Sequence, residues 1–189
     1  MIDASPPPPR RKVLELRAKI ESHYGAAAVR QPEHALGQYM FGEACRVNYV
    51  PNFTPAAVRK PQLERAARAY RAALEHWRDG VDTVELERRG REEVLCRLGL
   101  VLGELHGPAT EEAMACYREA ALLNSAYHLP RQYLGNELLE AGREAEASVH
   151  LQSCLALLGA EPVAGEPTTH TAARRQVQGA LLQTFPPTA

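Results

Sequence analysis

Apolar residues recur at spacings of three and four along most of the chain, and no stretch alternates apolar with polar at period two. Amphipathic helices are therefore the elements the pattern predicts. The clearest spans 62–77, where Leu63, Ala66, Ala67, Tyr70, Ala73, Leu74 and Trp77 share one face and arginines and glutamates take the other. Ahead of it, a helix from Arg10 to about His23 carries Val13, Leu16, Ile20 and Tyr24 on one side and ends at Gly25. A second runs from Pro32, well suited to a first turn, to Asn48, with Leu36, Met40 and Phe41 on its apolar side. Residues 49–61 form a proline-rich insertion in which Pro51, Pro55 and Pro61 forbid continuous helix, while Tyr49 and Phe53 predict that it packs down.

After Asp79 and Gly80 the pattern predicts one long helix over 82–105, weakened at Gly90. Gly107 and Pro108 break the chain before a helix at 110–123. Two more, at 126–140 and 144–158, meet at Gly142. Residues 159–170 read as a linker by composition. The final helix, 171–185, has Ala173, Val177, Leu181 and Phe185 four apart and is expected to cap an exposed apolar end. The expected fold class is all-α, with eight helices.

Composition supports this reading and narrows the partners. Apolar residues make up 45% and charged residues 24%, ordinary for a globular chain. Lys and Arg total 22 against 23 for Asp and Glu, so the basic excess of a dedicated nucleic-acid binder is missing and nucleic acid is an unlikely partner. No apolar run approaches the roughly 18 residues of a membrane span. The start, MIDASPPPPRRK, lacks the apolar core of a signal peptide, and Asp3 with four prolines fits a transit peptide badly. Residues 1–9 read as a tail; Pro6 to Pro9 with Arg11 spells PxxPxR, a short, weak match to the shape SH3 domains bind. Cys45, Cys96, Cys116 and Cys154 stand singly inside helical patterns, which predicts buried free thiols and a cytoplasmic, reducing location.

Chemistry is sparse. The chain has no phosphate-cradling glycine loop, HExxH or GxSxG, and none of its seven histidines has a partner four residues away. Glu92-Glu93 and Glu111-Glu112 suit a solvated face or a helix dipole better than acid–base work. No catalytic, cofactor or metal residue is nominated, and the expectation is that the chain is not an enzyme.

A repeat does emerge. Leu36-Gly37, Leu98-Gly99 and Leu134-Gly135 are each followed three residues on by Met40, Leu102 and Leu138. Each is then followed by a second helix with small, bulky and small residues: Ala66, Tyr70, Ala73; Ala113, Tyr117, Ala120; and Ala147, Leu151, Cys154. This resembles the tetratricopeptide repeat (TPR) family, with its W-x2-LG-x2-Y…A-x3-F pattern. About three repeats are covered, at 32–80, 82–124 and 126–158, the first two carrying insertions, inside a helical-repeat domain of residues 10–158. The resemblance implies a right-handed superhelical stack of helix-turn-helix pairs whose first helices line a concave groove.

Its implied function is that of a non-catalytic scaffold, adaptor, assembly factor or complex subunit that binds a peptide or helix in that groove. Counting turns from each Leu-Gly, the groove candidates are His34, Gln38 and Phe41; Glu93, Arg97, Leu100 and Glu104; and Gln132, Tyr133, Asn136 and Glu140. One TPR subset grips a C-terminal carboxylate with Lys, Asn and Arg. Asn136 stands where that subset has its Asn, but Gln132 replaces its Lys and loses the charge-assisted bond. The rival reading is RNA binding along the 62–77 helix, where Arg59, Lys60, Arg65, Arg68 and Arg71 form a basic strip interrupted by Glu64 and Glu75.

Overall fold

The structure, a computed structural model, describes residues 10–47, 56–78, 90–159 and 168–184. Among these the chain is all-α, with no strand, and its helices are α1 (Arg10–Arg30), α2 (Ala35–Val47), α3 (Ala56–His76), α4 (Arg91–His106), α5 (Glu111–Leu123), α6 (Leu129–Glu140), α7 (Glu144–Leu158) and α8 (Thr168–Thr184). The chain divides into two compact units, residues 1–88 with α1–α3 and residues 89–189 with α4–α8. The first unit buries Tyr39 and Cys45 of α2 against Leu63, Ala66, Tyr70 and Ala73 of α3. The second buries Val94, Leu98, Val101 and Leu102 of α4 with Ala113, Tyr117 and Ala120 of α5, and continues through Leu134, Leu138 and Leu151.

Several ends differ from the sequence expectation, each for a local reason. Gly25 does not stop α1, because the alanines at 26–28 are the strongest helix formers and carry it to Arg30. A Cβ at Gly25 would stand 3.1 Å from the Phe41 ring, so the glycine serves packing instead. Pro32 lies in the turn, and α2 starts only at Ala35, where His34 Nδ1 accepts the Gly37 N–H at 3.0 Å and caps the first turn. Pro61 sits inside α3. It and Ala57, whose carbonyl loses its helical donor, are both exposed, so that carbonyl is open to hydration and the helix can continue. The expected insertion at 49–61 is therefore helical from Ala56, and its residues 49–55 lie outside the described ones.

In place of one long helix from Asp82, α4 begins after Gly90, and residues 82–89 lie outside the described ones. Thr110, in an extended conformation, precedes α5, whose Glu111 and Glu112 complement the helix dipole. Pro130 delays α6 to Leu129, since proline is accommodated only in a first turn. Gly142, at φ +72, donates to Leu139 O while Arg143 donates to Leu138 O, the paired bonds that end α6 and turn the chain into α7. The last helix starts at Thr168 and takes in the last three residues of the expected linker; Phe185, like the tail at 1–9, lies outside the described residues.

Three pairs pack alike: α2 on α3, α4 on α5 and α6 on α7. In each, one glycine of the first helix lets a bulky residue of the second come close. A Cβ would stand 2.6 Å from Tyr70 at Gly42, from Tyr117 at Gly99 and from Leu151 at Gly135. The last two are the expected glycines. In the first pair the role belongs to Gly42, since a Cβ at Gly37 would meet only its own His34. Gly37 lies in the opening turn of α2, before the helix reaches its crossing with α3.

Candidate functional site

In the first unit the sequence candidates fall along α2 and its entry. His34 is exposed but occupied as the α2 cap. Gln38 is buried, and its Nε2 donates to Ala28 O at 3.1 Å and Pro32 O at 3.2 Å, tying α2 to the end of α1. Phe41 is half-buried, with the Arg65 guanidinium 5.3 Å from its ring centroid. Gln38 and Phe41 meet Arg65, Arg68, Ala69 and Ala72 around a pocket of about 280 Å³. Arg65 is further drawn to Glu21 of α1, which takes one cation out of the basic strip read along α3.

In the second unit the candidates divide into those spent inside the fold and those on its surface. Glu93 is buried, accepts from Tyr127 Oη and pairs with Arg97 at 2.7 Å. Gln132 is buried as well, its Nε2 donating to Gln176 Oε1 of α8 at 3.0 Å. Tyr133 is half-buried against the Tyr117 ring, with centroids 5.8 Å apart. Leu100 and Asn136 are half-exposed, and Glu104 and Glu140 are exposed, on α4 and α6 respectively. These last four, with the equally half-exposed Arg97 and Tyr133, are the accessible members of the set.

Glu137 was not among the sequence candidates and belongs with them. Its Oε2 accepts the Ala109 N–H at 2.9 Å, and its carboxylate lies over Gly103, where a side chain would collide with it. Burial pushes its pKa up, and the neighbouring charges of Glu140 and Glu104 push it further, against the Ala109 hydrogen bond. Three carboxylates from α4 and α6 thus share one electrostatic neighbourhood. The missing signal was the turn: Ala109 sits at φ +53, a backbone state that sequence spacing does not reveal.

The remaining chemistry is quiet. Cys45, Cys96, Cys116 and Cys154 are buried thiols in no disulfide, and burial raises Cys45 and Cys154 to about 11. No group of three His, Cys, Asp or Glu that could hold a metal occurs among the described residues, and no described helix is long and apolar enough to cross a membrane. No family model and no curated protein matches the chain.

Proposed function

We propose that this chain is a non-catalytic protein-binding scaffold whose second unit presents α4 and α6 to a peptide or helix bearing basic side chains. The observation that carries this is the carboxylate group of Glu104, Glu137 and Glu140, with Glu137 held by the Ala109 N–H. A lysine or arginine arriving there offsets the burial and the repulsion by Glu140 and Glu104 that together raise Glu137, and Leu100 and Asn136 offer apolar and amide contacts on the same helices. The resemblance to TPR proteins remains part of the proposal. Its support is the recurring contact of Gly42 with Tyr70, Gly99 with Tyr117 and Gly135 with Leu151. A cytoplasmic setting suits four thiols in no disulfide.

Glu104→Lys combined with Glu140→Lys tests the surface, because both positions are exposed and tolerate the change. Partners captured by the wild-type chain in a pull-down should be lost, and a labelled lysine-rich helical peptide should bind roughly tenfold more weakly by anisotropy. Unchanged capture with an unchanged circular dichroism spectrum would move the site elsewhere. Tight, steeply salt-dependent retention on a polyanion column would favour RNA binding instead.

A further inference from the structure

A second surface of the 89–189 unit has the opposite character. Helices α5 and α7 flank a depression of about 480 Å³ whose floor comes from Pro130 and Leu134 of α6. Its walls carry Leu122, 84% exposed, and Val149, 61% exposed. Single exposed apolar residues are commonplace, but these two border the same open groove, as an anchor for a partner's apolar stripe would.

The charges around the groove select the partner. Arg118, Arg131 and His150 line it, and none of its lining residues is acidic. Arg131 Nη1 bonds only backbone carbonyls, Ser125 O at 3.1 Å and Tyr127 O at 3.4 Å, which leave its charge without a carboxylate. Arg118 meets Glu111 at 2.7 Å, but both side chains are well exposed, and such a pair exchanges readily for another carboxylate. Glu146, the nearest acid on α7, is itself engaged by Arg143 at 2.7 Å.

We propose that the groove between α5 and α7 docks an amphipathic helix of a partner protein, its apolar stripe on Leu122 and Val149 and its flanking carboxylates on Arg131 and Arg118. An open depression flanked by two helices suits a helix laid into it better than an enclosed small molecule. His150 reports occupancy. Burial, Arg118 and Arg131 hold its pKa down against the opposing effect of Glu146, so an incoming carboxylate raises it and binding strengthens as pH falls. This surface shares no lining residue with Glu104, Glu137 and Glu140, so either proposal can fail alone.

The test uses the full chain and a fluorescein-labelled helical peptide with leucines on one stripe and glutamates beside it. The Glu peptide should bind, and its Lys-for-Glu counterpart should bind roughly tenfold more weakly or less. Arg131→Glu and Leu122→Asp should each weaken the Glu peptide roughly tenfold with the helical circular dichroism spectrum kept, and Leu122→Asp, at its exposed position, should do so without shifting the thermal midpoint. The His150 ring resonances should titrate at higher pH in the bound state, and His150→Ala should flatten the pH dependence of affinity. No binding, equal binding of both peptides, affinity indifferent to both variants, or displacement of the Glu peptide by a single-stranded RNA oligonucleotide would each overturn the proposal.

Discussion

Tyr70 and Tyr117 occupy corresponding places in two helix pairs, each ring against a glycine of the partner helix, yet their hydroxyls fare differently. Tyr70 Oη donates to Glu43, whereas the buried Tyr117 Oη has no hydrogen-bond partner. A buried hydroxyl without a partner costs stability, and one with a charged acceptor contributes it. Tyr70→Phe should therefore lower unfolding stability by about 1 kcal/mol, and Tyr117→Phe should leave it unchanged or raise it by up to about 1 kcal/mol. Urea denaturation followed by circular dichroism checks both. A loss at Tyr117→Phe as large as at Tyr70→Phe would mean that its hydroxyl finds an acceptor in solution. Both rings were legible from sequence as bulky residues between small ones; which hydroxyl is satisfied was not, because Glu43 reaches Tyr70 only through the α2–α3 crossing.

At the scale of elements, α8 shows how a terminal helix closes a core. Ala173 and Val177 cover Leu151, Cys154 and Leu158 of α7, and the buried Arg174 donates to Leu158 O at 2.6 Å and Gly159 O at 2.9 Å. Those carbonyls end α7 and would otherwise be unsatisfied, so one side chain both caps α7 and fixes α8. Val177→Asp puts a carboxylate into this contact and should release α8. Cys154, now buried with its thiol raised to about 11, should then react with a thiol reagent many times faster at neutral pH. Cys45, in the other unit, should keep its wild-type rate. Equal acceleration at both cysteines would instead indicate global unfolding.

At the scale of the molecule, the boundary between Arg88 and Arg89 separates two sets of helices, each with its own buried apolar residues. A fragment of residues 89–189 should therefore fold alone, with a helical spectrum and a cooperative melt, because every core contact of α4 to α8 described above is internal to it. A broad, non-cooperative melt would show that the unit depends on the rest of the chain. The same fragment should retain both proposed surfaces, the carboxylates of α4 and α6 and the α5–α7 groove.

The three- and four-residue spacing of apolar positions was enough to establish an all-α chain, the buried faces of α3 and α5, and the limits of α7. It also identified Gly99 and Gly135 as contact glycines, since helix period and side-chain size are local properties that a sequence displays directly. The passage of α1 through Gly25 and the start of α6 at Leu129 followed from the alanines after Gly25 and the first-turn place of Pro130, and solvent access lets α3 carry Pro61, none of which apolar spacing weighs. The candidate surface was legible only in part. Leu100, Glu104, Asn136 and Glu140 lie where turns of helix put them, but Gln38, Glu93 and Gln132 are drawn inside by Ala28, Tyr127 and Gln176. Those partners lie far away in the chain, and the hydrogen bond that commits a polar side chain to the interior exists only once packing has brought them together.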